Sequence, residues 1–251
     1  WQAIRGAEAI GARALVFTWE NIWRRYRWIS EKILKYVLEH AAHIIAGNEE
    51  GKGLLLKRGF RKGISVFPQY GVDENAFKRK EVSPLKNKLG LSATVVGYIG
   101  RLEPSKGVDL LLRAIARIDS RVSCLILGEG PEKKKLVTLA DELGIESRTV
   151  FHGGVPNDKV PDYLNCLDLL VLPSRTTAQW KEQFGRILAE GMACEVPVIG
   201  SSSGEISETI GDAGLIFNED DSEDLGRKIQ FILENDSARE TLAKKGRSRV
   251  M

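Results

Sequence analysis

The chain has 251 residues, 43% hydrophobic and 28% charged, and its 37 Lys and Arg against 34 Asp and Glu leave a net charge of +3. That length buries one substantial core, or one complete domain and part of a second, and so small a net charge gives no global argument for a nucleic-acid partner or a membrane surface. Cys124, Cys166 and Cys194 are odd in number and set in apolar runs, so they read as reduced core residues rather than disulfides or metal ligands. No apolar run approaches the ~20 residues that span a bilayer and none reads as a signal peptide, so a soluble, cytoplasmic protein is expected. The chain opens on Trp1 and ends at Met251 inside what reads as a continuing basic helix, the expectation for a fragment.

In chain order, Ala14-Leu15-Val16-Phe17 reads as a short buried strand, residues 21–40 as a long helix, Ile44-Ile45-Ala46 as a second strand, Glu49 to Lys57 as a helix and Ile64-Ser65-Val66-Phe67 as a third strand ending at Pro68. Three strands are too few to close a stable sheet alone. Residues 1–70 therefore read as the remnant of a larger Rossmann-like domain, and 71–251 as a second domain.

Within the first region, Trp19, Trp23, Tyr26 and Trp28 stand among Arg24, Arg25, Arg27, Lys32 and Lys35, against only Glu20 and Glu31. Such a helix suits peripheral contact with an anionic membrane, at the inner face, or with a lipid-linked ligand. It equally suits a surface helix whose Ile22, Ile29, Ile33 and Val37 pack on a sheet while the arginines stay in solvent, and the second reading is the one preferred.

From residue 95 on, strand and helix alternate. Strands are predicted at 95–99, 122–127, 149–151, 169–172, 198–199 and 214–217, with helices at 107–118, 132–143, 158–165, 184–193, 205–210 and 223–234. Apolar strands without period-2 alternation imply burial on both faces, as in a parallel, doubly wound α/β sheet. In such a sheet ligands bind beyond the carboxyl ends of the strands, and glycine-rich polar clusters fall there.

The first cluster is Gly100-Arg101-Leu102-Glu103-Pro104-Ser105-Lys106-Gly107, where two cations and a helix N-terminus suit a pyrophosphate, and equally a plain strand-to-helix turn with two solvated cations. Gly128-Glu129-Gly130-Pro131 follows the next strand, with Pro131 in the favoured first position of a helix, and its two glycines suit close approach by a ligand or equally a structural turn. Phe151-His152-Gly153-Gly154-Val155 leaves bare backbone groups able to read a nucleobase edge, and His152 reads as a satisfied strand-end histidine without a chemical role. The fourth runs from Glu182 through Phe184 and Gly185 to Glu190. On a helix starting near Gln183 its two carboxylates stand about 12 Å apart along the axis, beyond the ~5–9.5 Å of a glycosidase pair but suited to opposite ends of an extended ligand. Ser201-Ser202-Ser203-Gly204-Glu205-Ile206-Ser207-Glu208 and Gly211-Asp212-Ala213-Gly214 close the series.

Over residues 60 to 251 these clusters, in this order and spacing, resemble the family-4 glycosyltransferases, retaining enzymes of two-lobed GT-B architecture with sucrose and glycogen-type synthases as relatives. The resemblance implies a UDP- or GDP-linked sugar donor and a glycan or lipid-linked acceptor, as in polysaccharide biosynthesis, with no metal and no cofactor. By it, Arg101 and Lys106 neutralise the donor diphosphate and Glu182 faces the sugar beside the Phe184 and Gly185 amides. Glu190 holds the ribose, the Gly154-Val155 loop holds the base, and Gly100, Gly128 and Gly130 let the ligand approach. Where the family often has Gly-Gly-x-Pro-Glu, this chain has Gly204-Glu205-Ile206-Ser207-Glu208, a departure that bears on the rigidity of that loop. Two rival readings stand beside it: a GT-B sugar-nucleotide epimerase, and a non-catalytic nucleotide-sugar-binding subunit.

Overall fold

Runs of Val, Ile and Leu form two parallel sheets in the computed structural model, which describes residues 1–68 and 70–251. The first sheet pairs β1 (Leu15–Thr18), β2 (His43–Ala46) and β3 (Gly63–Val66) in that order. Around it lie α1 (Gln2–Ala9), α2 (Trp28–His40) and α3 (Glu49–Lys57), and its small core is Ala41, Ile44, Ala46, Leu55 and Phe60.

The helix expected over 21–40 begins only at Trp28, and residues 21–27 form neither helix nor strand. Tertiary contacts hold them out: the Asn21 amide reaches Glu50 and the Glu182 carbonyl, and the Arg58 guanidinium lies 4.5 Å from the Trp23 ring while donating to the Arg24 carbonyl at 2.8 Å. The packing face differs as well. Ile29 and Ile33 remain 54% and 39% exposed, whereas Leu38 is the residue of α2 packed on the small core.

After α4 (Ser83–Lys88), which the sequence reading lacked, the second sheet begins. Its strands are β4 (Thr94–Ile99), β5 (Val122–Leu127), β6 (Thr149–His152), β7 (Leu169–Leu172), β8 (Val198–Ser201) and β9 (Leu215–Phe217). They lie in the order β6-β5-β4-β7-β8-β9, all parallel. Every residue of β5, β7 and β8 is buried, because helices cover both faces.

Those helices are α5 (Val108–Ile115), α6 (Lys133–Glu142), α7 (Val160–Leu164), α8 (Arg186–Ala193), α9 (Ile206–Ile210), α10 (Ser222–Glu234) and α11 (Asp236–Val250). The start of α8 falls two residues later than expected, since Gly185 takes a left-handed φ of 78° and ends the preceding loop. All three cysteines are free and buried. Among the described residues no helix is long and apolar enough to cross a membrane.

Candidate active site

Strand order reverses between β4 and β7, and at such a switch point the connections leave the sheet in opposite directions and open a crevice at the strand ends. A cavity of about 560 Å³ lies there. Gly100, Arg101 and Lys106 reach it from the end of β4, Gly128 from β5, Gly154 and Val155 from β6, Glu182 and Gly185 from the segment joining β7 to α8, and Glu190 from α8 itself.

Two of the residues singled out in the sequence do not line this cavity. A Cβ on Gly130 would come 2.3 Å from the Leu102 carbonyl oxygen, so glycine there lets two loops pack. Phe184 turns into two neighbouring cavities, its ring 6.1 Å from that of Tyr70.

Each cation at the cavity has a carboxylate beside it. Lys106 Nζ lies 2.7 Å from Glu182 Oε2, which also accepts from Ser174 Oγ at 3.0 Å. Arg101 lies 3.2 Å from Glu103 with most of its side chain in solvent, and Arg186 Nε lies 3.0 Å from Glu190 Oε1. Burial pushes the Glu190 carboxyl above its ordinary pKa, against the smaller opposing pull of Arg186. A polyanion entering the cavity competes with these carboxylates for Arg101, Lys106 and Arg186. Sequence reading missed Arg186; its signal was a basic residue one helical turn before Glu190.

The loop carrying Glu182 is gripped by groups from the first sheet. Asn21, 4% exposed, donates to the Glu182 carbonyl at 3.1 Å, and Asn48, 5% exposed, donates to the Gln183 carbonyl at 3.1 Å. Lys181 pairs with Glu50, whose backbone N–H donates to Glu205 at 3.1 Å. The departure at Glu205 thus ties the two sheets together at the start of α3. His152 accounts for both its ring nitrogens locally, Nδ1 with the Gly153 carbonyl at 2.9 Å and Nε2 with the Tyr163 hydroxyl at 3.1 Å. Among the described residues no group of three His, Cys, Asp or Glu side chains is placed to hold a metal.

The pattern of the glycosyl transferases group 1 family matches residues 80–249, the stretch that builds this cavity. The chain belongs to that family. Among the relatives of this group 1 glycosyl transferase, the N-acetyl-alpha-D-glucosaminyl L-malate synthase of Bacillus anthracis is 30% identical over 185 residues, 71% of this chain and 47% of that protein. The D-inositol 3-phosphate glycosyltransferase of Rhodococcus jostii is 30% identical over 65% of this chain and 38% of its own length. The chain thus spans about half or less of these curated relatives.

Solved structures extend the likeness to both sheets. Anabaena HepE in complex with UDP superposes with a TM-score of 0.87 at 23% identity, covering 98% of this chain and 69% of that one. Sucrose-phosphate synthase from Thermosynechococcus elongatus gives 0.78 at 25% identity, covering 98% and 65%. The fold is GT-B, α/β throughout, with a doubly wound Rossmann-like sheet and a partial Rossmann-like sheet before it.

Proposed function

We propose that the chain is the donor-binding part of a retaining glycosyltransferase that moves a sugar from a UDP- or GDP-linked donor to a glycan or lipid-linked acceptor. In this reading residues 71–251 form the donor lobe and residues 1–70 part of the acceptor-side lobe. The observation that carries it is the convergence of Arg101, Lys106, Glu182 and Glu190 on one cavity with the Gly154-Val155 backbone.

The roles follow from what each group can do. As the bond between the sugar and the diphosphate breaks, negative charge grows on the leaving phosphate, and Arg101, Lys106 and the N-terminus of α8 stabilise it. Lys106 releases Glu182 when it turns to phosphate, which leaves that carboxylate facing the sugar. Glu190 accepts from ribose hydroxyls, and the 154–155 backbone meets the base edge. UDP is supported as the nucleotide by HepE, whose structure was also solved with UDP-glucose.

The segment from Trp19 to Trp28 makes contacts within the chain, with Arg24 donating to the Gln179 carbonyl at 3.1 Å and Trp23 beneath Arg58, although Trp23, Tyr26 and Trp28 keep exposed ring surface. We infer that it braces the two lobes of a cytoplasmic protein rather than lying on a membrane. A thermal-shift panel of UDP-, GDP- and ADP-sugars tests the donor assignment, because a ligand of the folded state raises the melting temperature by mass action. A shift with UDP- or GDP-sugars that Lys106→Ala removes is expected; no shift with any of the three overturns the assignment. Anomeric NMR of the transferred sugar reads retention directly.

A further inference from the structure

A second cavity of about 480 Å³ adjoins the first, within the range of roughly 300–1,000 Å³ usual for small-molecule sites. Arg101, Lys106, Glu182, Gly185 and Arg186 line both cavities, so the two are continuous where the sugar of a bound donor sits. What sets the second apart is its wall of Trp19, Tyr70, Trp180 and Phe184. The Trp19 and Tyr70 rings are 5.1 Å apart and the Tyr70 and Phe184 rings 6.1 Å apart, which makes a strip of aromatic faces beside charged groups.

Both indoles are held in place before any ligand arrives. Trp180 closes a turn in which its backbone N–H donates to Thr177 Oγ1 at 2.9 Å and its carbonyl accepts from the Thr177 backbone at 2.7 Å. The Lys106 ammonium sits 4.2 Å from the Trp180 ring centre. Trp19 is pinned by Gln183, which donates to its carbonyl at 2.9 Å, and it occupies space left open by Gly47, where a Cβ would lie 1.8 Å from the indole. Rings fixed in advance lose little freedom on binding, which favours affinity.

A pyranose has the complementary surface. Its axial C–H groups make an apolar face that an aromatic ring removes from water, while its rim of hydroxyls meets the charged and amide groups of Glu103, Gln183 and Arg186, which share the cavity. An open-chain polyol or a small acid has no such face.

We propose that the second cavity binds the pyranose ring of a carbohydrate acceptor, with Trp180 and Trp19 as specificity-determining residues. The proposal rests on the reading of the adjoining cavity as the donor site. Saturation-transfer difference NMR on this chain tests it with methyl α-D-glucopyranoside as probe and sorbitol as the open-chain comparison, each with and without UDP. The ring protons of the pyranoside are expected to saturate and those of sorbitol to stay dark. Trp180→Ala and Trp19→Ala are expected to weaken pyranoside binding about fivefold to tenfold each, while Trp180→Phe keeps most of it. Equal saturation of sorbitol, no saturation of the pyranoside, or a pyranoside signal unchanged in both alanine variants overturns the proposal.

The resonances of UDP are read in the same samples. Their absence from the parent chain contradicts the donor reading, whereas the pyranoside result still decides the subsite. If circular dichroism shows that an alanine variant is unfolded, the parent-chain contrast between pyranoside and sorbitol decides alone.

Discussion

Lys106 and Glu182, 76 residues apart in sequence, form an ion pair at 2.7 Å with 17% and 12% of their side chains exposed. Pairs so enclosed are worth little against an apolar replacement, but losing one partner strands the other charge. Each of Lys106→Ala and Glu182→Ala is therefore expected to destabilise the chain by about 1–3 kcal/mol, with the double variant recovering part of the loss as a coupling of about 0.5–3 kcal/mol. Urea denaturation of the four proteins measures the cycle, and strictly additive losses contradict the pairing.

Glu190 gives a pH signature. Burial raises its carboxyl pKa in the folded chain, so the folded state holds the proton more tightly than the unfolded one. The stability this group contributes is then full below the ordinary carboxylate pKa of about 4.3 and lost as pH rises through the raised folded value. Glu190→Gln is expected to raise the melting temperature at neutral pH, with a gain that shrinks toward about pH 4, and to weaken nucleotide binding. Melting curves across that range, and a gain that stays constant with pH, decide against the burial effect.

Asn48 does two jobs with one amide. Its Oδ1 accepts from the Gly51 N–H at 2.7 Å, capping α3, and its Nδ2 donates to the Gln183 carbonyl at 3.1 Å. Asn48→Ala is expected to cost about 1–3 kcal/mol. Asn48→Asp, which keeps the cap and loses the donor, separates the two contributions. If the aspartate variant equals the parent in stability and nucleotide affinity, the link between the lobes contributes nothing.

For the basic aromatic segment, changing Arg24, Arg25 and Arg27 to Glu is expected to leave pelleting with anionic liposomes unchanged, as a brace between lobes requires. A loss of pelleting restores the membrane reading.

The sheet was legible because strands buried on both faces are written as unbroken apolar runs, so the observed β5 and β7 coincide with the runs at 122–127 and 169–172. Much of the cavity lining was legible as well, since glycines and cations gather where parallel strands end. What the sequence hid depends on contacts between distant segments. The non-helical path of 21–27 is set by Glu50, Arg58 and Glu182, none of which is local. The indole of Trp180 beneath Lys106 likewise gained its place from the folding of one loop between two lobes, whereas Arg186 was readable one helical turn before Glu190. Local pattern left Gly130 open between ligand approach and a structural turn, and its neighbour in space is the Leu102 carbonyl.

Calorimetric titration of UDP into the chain tests the central claim most directly. One UDP is expected to bind per chain, with Lys106→Ala and Arg101→Ala each weakening it by about tenfold or more, the loss of one charge-assisted contact. UDP bound with unchanged affinity by both variants, or not bound by the parent chain, contradicts a diphosphate held at the β4 strand end.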